Sequence, residues 1–138
     1  MREYKFRGRR IDTGEWAYGN YQAGKGKHPH VISWWTVHQS EGDIWDEVDV
    51  AEVDPETVGQ CTGLIDRNGQ EIFEGDFVRF DDNYMIENPT QQGYVGFGSA
   101  SFYIDSGYGK HYRWIDYDCE VIGNVWQHPH LLEEAKSQ

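Results

Sequence analysis

Two His-Pro-His tripeptides, His28–His30 and His128–His130, contain residue types that bind metals, because neutral imidazoles ligate zinc, copper or nickel. Their spacing argues against a site. Two imidazoles flanking a proline are not an established ligand pair, and nothing in the sequence brings the tripeptides together. They read as surface histidines, and the expectation is no metal and no cofactor.

Carboxylates are abundant, and a pair of them could serve as general acid and base or hold Mg²⁺. Asp66 and Asp76 are the two most fixed by neighbouring turn residues, yet a turn Asp ordinarily accepts from nearby backbone N–H groups. The string GFGSAS is not a nucleophile elbow, nor, without a strand-helix setting, a dinucleotide loop. GYGKHY lacks the spacing and the Ser/Thr of a phosphate-binding loop. Cys61 and Cys119 have no histidine beside them, and Cys119-Glu120 next to Val121 and Ile122 fits a buried structural thiol. No catalytic residue is expected.

The stretch TVGQCTGLIDRNGQEIFEGDFV, residues 57–78, concentrates the turn-forming residues. A phosphate cradle needs consecutive N–H groups at a helix N-terminus. Here Gly63, Gly69 and Gly75 recur between strand-like pieces and among acids that repel an anion. Gly63, Asp66, Asn68, Gly69, Gly75 and Asp76 are therefore read as structural corners.

The elements around these corners follow from composition. A chain of 138 residues with 16 glycines and 15% aromatic residues favours strands and turns, and its length suits one modest core. Tyr4 and Phe6, the Asp12-Thr13-Gly14 turn, and Trp16, Tyr18 and Tyr21 form a hairpin pattern, and HVISWWTV adds a third strand. From Glu41 to Glu56 acids abound and no base occurs, which predicts a flexible, solvated excursion that Ile44, Trp45, Val48 and Val50 could pin to the body. Asp66-Arg67-Asn68-Gly69 marks a second hairpin, and DFVRF leaves the Glu74-Gly75-Asp76 corner as a strand. After a polar loop at 81–92, GYVGFG, ASFYID, HYRWID and CEVIGNV are spaced like strands of a small meander or barrel, and Pro129 opens a short terminal helix.

Charge is uneven. Against a net −12, residues 1–27 are basic and the remainder strongly acidic, which disfavours nucleic-acid binding except through Arg2, Lys5, Arg7, Arg9 and Arg10. The absence of a signal-like N-terminus and of any apolar run near the roughly 18 residues of a membrane span, together with two cysteines, predicts a cytoplasmic chain with reduced thiols.

VDPETVGQCTGLIDRNGQEIFEGDFV, the closing CEVIGNVWQHPHLLEEA and the opening REYKFRGRRIDTGEWAYG together resemble the YopX family of bacterial and prophage-encoded proteins. The chain departs from that pattern at His128-Pro129-His130, where the family tends to have Asn-Pro-Glu. The resemblance implies a β-rich fold with an SH3-like barrel in the C-terminal part and a phage or prophage context. It implies no activity. The expected organisation is a single YopX-like domain, mainly β: an N-terminal hairpin region and acidic excursion over 1–56, a barrel region over 57–138, and a short C-terminal helix.

The functional expectation is a non-enzymatic binding module that meets a protein partner or a copy of itself through Asp43, Asp46, Glu47, Asp49, Trp34 and Trp35. The alternative is a nucleic-acid-directed protein, acting through the basic N-terminal segment or as an acidic mimic of DNA. An enzyme using carboxylates or a metal ranks third.

Overall fold

The computed structural model describes residues 5–81, 90–107, 109–112 and 118–131. Arg2, Tyr4, Tyr108, most of HYRWID and the terminal helix beyond residue 131 lie outside the described residues; 129–131 are helical. Strands dominate, all paired antiparallel, in two compact units, Met1–Gln60 and Cys61–Gln138.

In the first unit, β1 (Phe6–Arg9), β2 (Trp16–Gln22), β3 (Val31–Ser40) and β4 (Asp43–Glu52) pair in the order β4-β3-β2-β1, and the start of β5 (Gly59–Ile65) joins β1. One face of this sheet carries Ala17, Ile32 and Ala51, which cluster with Val53 as a small core flanked by Phe6, Tyr21, Trp34 and Val58. Gly8 lies directly on that core: a Cβ there would come 3.1 Å from both Ile32 and Val53. Beyond β4, Asp54 caps the Pro55–Thr57 3₁₀ turn by accepting from Glu56 N–H (3.0 Å).

The excursion expected over 41–56 is instead a ten-residue strand and this turn. Ile44, Val48 and Val50 fall at even spacing on one face, and β4 runs in unbroken register with β3 from Val31↔Glu52 to Ser40↔Asp43. Acid count suggested disorder, but side-chain alternation and pairing determine the structure here. The loop between the strands is two residues, Glu41 (φ +51°) and Gly42 (φ +85°), the doubly left-handed geometry that matches strand twist in tight hairpins.

In the second unit the rest of β5 pairs with β6 (Glu71–Phe73) across the Asp66–Gln70 turn. A separate sheet has the order β10-β9-β8-β7-β11, from β7 (Asp76–Asp81), β8 (Thr90–Gly98), β9 (Ser101–Asp105), β10 (Lys110–His111) and β11 (Cys119–Asn124). Strand β8 begins inside the segment expected to be a loop. Ile72, Val78, Phe80, Val95, Ile104 and Cys119 form the core, with Leu64, Phe102 and Val121 against it. Strand β7 buries Phe77, Val78 and Phe80 and exposes Arg79. No barrel is closed by continuous strand pairing among the described residues.

Candidate functional site

The corner residues are occupied with structure. Asp66 is buried, and its Oδ1 accepts from the N–H groups of Asn68 (2.8 Å) and Gln70 (2.9 Å) while Oδ2 accepts from Val121 N–H (3.0 Å) on β11. Burial opposes ionisation, but the bonds from Val121, Gln70 and Asn68 and the charge of Arg67 outweigh it and hold the carboxyl below its ordinary range. Asp76, also buried, accepts from Phe73 N–H (2.8 Å). Gly63, Gly69 and Gly75 have φ of +84°, +81° and +91°. Both carboxylates thus spend oxygens on backbone donors, where a general acid or base needs a free approach.

One histidine of each His-Pro-His tripeptide is likewise bonded to the backbone of a nearby turn. His30 Nδ1 accepts from Gly24 N–H (3.0 Å) and lies 2.7 Å from the Tyr21 hydroxyl, and His128 Nδ1 accepts from Asn124 N–H (3.2 Å). No group of three or more His, Cys, Asp or Glu residues that could hold a metal ion occurs among the described residues. Burial pushes the Cys119 thiol pKa up, with Asp118 and Asp66 adding to the effect, so Cys119 is not a ready nucleophile.

The first unit offers two surface features. A cleft of about 280 Å³ is lined by Arg10, Trp16, Ala17, Tyr18 and Trp34. Its cation is engaged, because the Arg10 guanidinium forms a two-point pair with Asp12 at 2.9 and 2.8 Å. That hydrogen-bonded pairing raises the Arg10 pKa and lowers that of Asp12. Arg7 lies over the Trp16 ring at 4.6 Å.

The second feature is the β3–β4 hairpin. Strand β2 reaches β3 only at Val31–Ser33, so the hairpin beyond Trp34 and Asp49 is a two-stranded ribbon. Strand alternation divides its side chains between two faces. One face continues the core side and is polar: Thr36 donates to Asp49, Trp45 Nε1 donates to Glu47 (3.1 Å), His38 Nε2 lies 3.3 Å from Glu47, and the His38 and Trp45 rings stack at 5.7 Å. The other face carries Trp35, Val37, Ile44, Val48 and Val50, each at least half exposed, with Asp46 between Ile44 and Val48 and Gln39 opposite Ile44. This inverts the usual arrangement, because the apolar side of the ribbon is bare.

All six residues expected to meet a partner therefore lie on one hairpin. They do not share a face: Trp35 and Asp46 belong to the apolar side, whereas Trp34, Asp43, Glu47 and Asp49 belong to the other. Trp34 packs beside the core cluster. The sequence reading missed Val37, Ile44, Val48 and Val50 as a surface, although their period-two spacing was available as a signal.

The family profile described as YopX protein matches residues 5–133. The chain belongs to the YopX family. A solved structure similar to this YopX chain is the crystal structure of protein EF1440 from Enterococcus faecalis, with 23% sequence identity and a TM-score of 0.56. The match covers 94% of this chain and 98% of that one. At that identity the likeness shows the fold alone. No curated protein matches the chain. No helix among the described residues is long and apolar enough to cross a membrane.

Proposed function

We propose that this YopX chain is a non-enzymatic binding module that engages a basic protein partner through the β3–β4 ribbon. The supporting observation is the bare apolar face of Trp35, Val37, Ile44, Val48 and Val50 on a ribbon that carries Glu41, Asp43, Asp46, Glu47, Asp49 and Glu52 and no Lys or Arg. A two-stranded hairpin gains little stability alone in water, and an exposed apolar surface on it gains more when covered. The surrounding acids favour a cationic partner over a second copy of a chain with net charge −12. In the second unit, Leu64 and Ile72 of the β5–β6 hairpin pack with residues of the β7, β8, β9 and β11 sheet, which supports reading that part as an SH3-like barrel. A phage or prophage context and a cytoplasmic setting belong to the same reading.

Affinity capture from a lysate of the source cells, comparing the full chain with a Trp35→Ser/Val37→Ser variant, tests the surface. Loss of one partner with an unchanged melting curve supports it, and identical capture by both proteins rejects it. Neutralising Asp43, Asp46, Glu47 and Asp49 to amides is expected to slow association, as is added salt. Salt-sensitive binding of bare DNA by the wild-type chain, flattened by Arg9→Ala/Arg10→Ala, would instead favour a nucleic-acid role.

A further inference from the structure

The outer edge of β4 is a place where another strand fits. Val53 N–H donates to His30 O (2.9 Å), so the Val53 backbone faces β3. Ile11 N–H donates to Glu52 O (3.0 Å), so the Glu52 backbone faces away from β3. Alternation then turns the N–H and C=O groups of Ile44, Asp46, Val48 and Val50 outward as well. At the base of this edge the chain supplies its own partner. Arg10 forms an antiparallel bridge with Val53, and Asp54 N–H donates to Arg9 O (2.9 Å). Above that bridge no described strand pairs with β4, which is terminal in its sheet, and every residue from Asp43 to Val48 is exposed.

An edge of this length is ordinarily blunted by a bulge, a proline, a covering segment or charged side chains, and β4 carries only the last of these, all of them acidic, which repel an acidic strand and attract a basic one. Strand β4 keeps continuous register with β3 through all ten of its residues and contains no proline. A strand laid beside it would place alternate side chains against Ile44, Asp46, Val48 and Val50 on the mainly apolar face and against Asp43, Trp45, Glu47 and Asp49 on the mainly acidic one. The segment already seated at the base, Arg9–Ile11, shows that this edge accepts an antiparallel strand and that basic side chains are tolerated in it.

We infer that Ile44–Val50 of β4 is a strand-addition site for an extended protein segment in which apolar residues alternate with Lys or Arg. This rests on the ribbon being the binding surface and specifies how the partner is held. Backbone bonds to the outward groups of β4 supply the hold, while the two faces select the pattern. A second copy is disfavoured because its own ribbon would set acids against acids.

The test is a fluorescence-anisotropy titration of the full chain with three labelled peptides: one alternating Val and Lys, one of the same composition with Val and Lys in separate blocks, and the alternating peptide with alternate amides N-methylated. The alternating peptide is expected to bind roughly tenfold or more tighter than either control. Val48→Pro, which removes one outward N–H, should abolish its binding while circular dichroism and melting stay as in the parent. If that variant fails to fold, the N-methylated peptide still decides. Equal binding of the alternating peptide and its N-methylated form would overturn strand addition while leaving the apolar-face reading intact, and no binding of any peptide would also overturn it. If capture of the cellular partner is lost in Trp35→Ser/Val37→Ser but kept in Val48→Pro, only the edge is excluded; if both variants retain it, both readings fail. Dimers of the wild-type chain in sedimentation, dissolved by Val48→Pro, would assign the edge to a second copy and overturn the cationic partner.

Discussion

Trp35 and Val48 are directly paired across the β3–β4 ribbon, and both side chains stand in solvent, at 69% and 50% exposure. A cross-strand pair of this kind stabilises a hairpin by less than about 1 kcal/mol, so its size is out of proportion to its structural worth. Trp35→Ser is expected to shift the urea midpoint by an amount equivalent to less than about 1 kcal/mol. Trp34→Ser, one residue earlier but packed against the core, should cost about 2 kcal/mol or more. Equal losses from the two variants would mean that the faces have been misassigned.

Asp66 links stability to pH. Its folded carboxyl titrates below its unfolded value, so its contribution is present above about pH 4 and is lost as pH falls through the folded pKa. In Asp66→Asn an amide replaces an oxygen that accepts, which should cost about 1–3 kcal/mol at neutral pH. Chemical denaturation at pH 7 and pH 3 should show the gap between variant and parent narrowing in acid. A gap that stays constant would place the sensitivity elsewhere.

Gly69 and Gly75 share a left-handed backbone but differ in surroundings. A Cβ on Gly69 meets open space, whereas one on Gly75 would fall on the Trp126 indole. Gly69→Ala is expected to cost about 1–2 kcal/mol from backbone strain alone. Gly75→Ala should add a further overpacking cost of about 1–3 kcal/mol and alter Trp126 fluorescence. Thermal melts of the two variants side by side check the order.

Ser99 and Ala100, the loop between β8 and β9, have φ of +51° and +62°. Alanine is strained there in a way that glycine is not. Ala100→Gly is therefore expected to stabilise the chain by about 1 kcal/mol, measurable as a rise in midpoint. A loss would show that the left-handed assignment of this loop is wrong.

The β class, the first hairpin and the Asp66–Gly69 turn were legible in the sequence because Asn68-Gly69 and the flanking apolar residues state their geometry directly. The β3–β4 hairpin was harder to see. Its turn is Glu41-Gly42, not Asn-Gly or Asp-Gly, and the acids around Ile44, Val48 and Val50 resemble a solvated segment when counted and a strand only when taken two by two. The candidate surface depends on which face of the ribbon each tryptophan takes. Trp34 and Trp35 are adjacent in sequence, so composition alone could not separate a core residue from an exposed one. The bond from Val121 N–H to Asp66 joins residues far apart in the chain, and local pattern carries no trace of it.

That same bond spans 55 residues, and β11 pairs with β7 across a comparable separation. Closing so long a stretch of chain carries an entropic cost before any contact rewards it, so β11 is expected to dock late in folding. Loss of the Val121 bond to Asp66 is then expected to speed unfolding in stopped-flow kinetics while changing the folding rate little. A residue at a tight turn, formed from local sequence, is thereby expected to lengthen the time the second unit stays folded once β11 is in place.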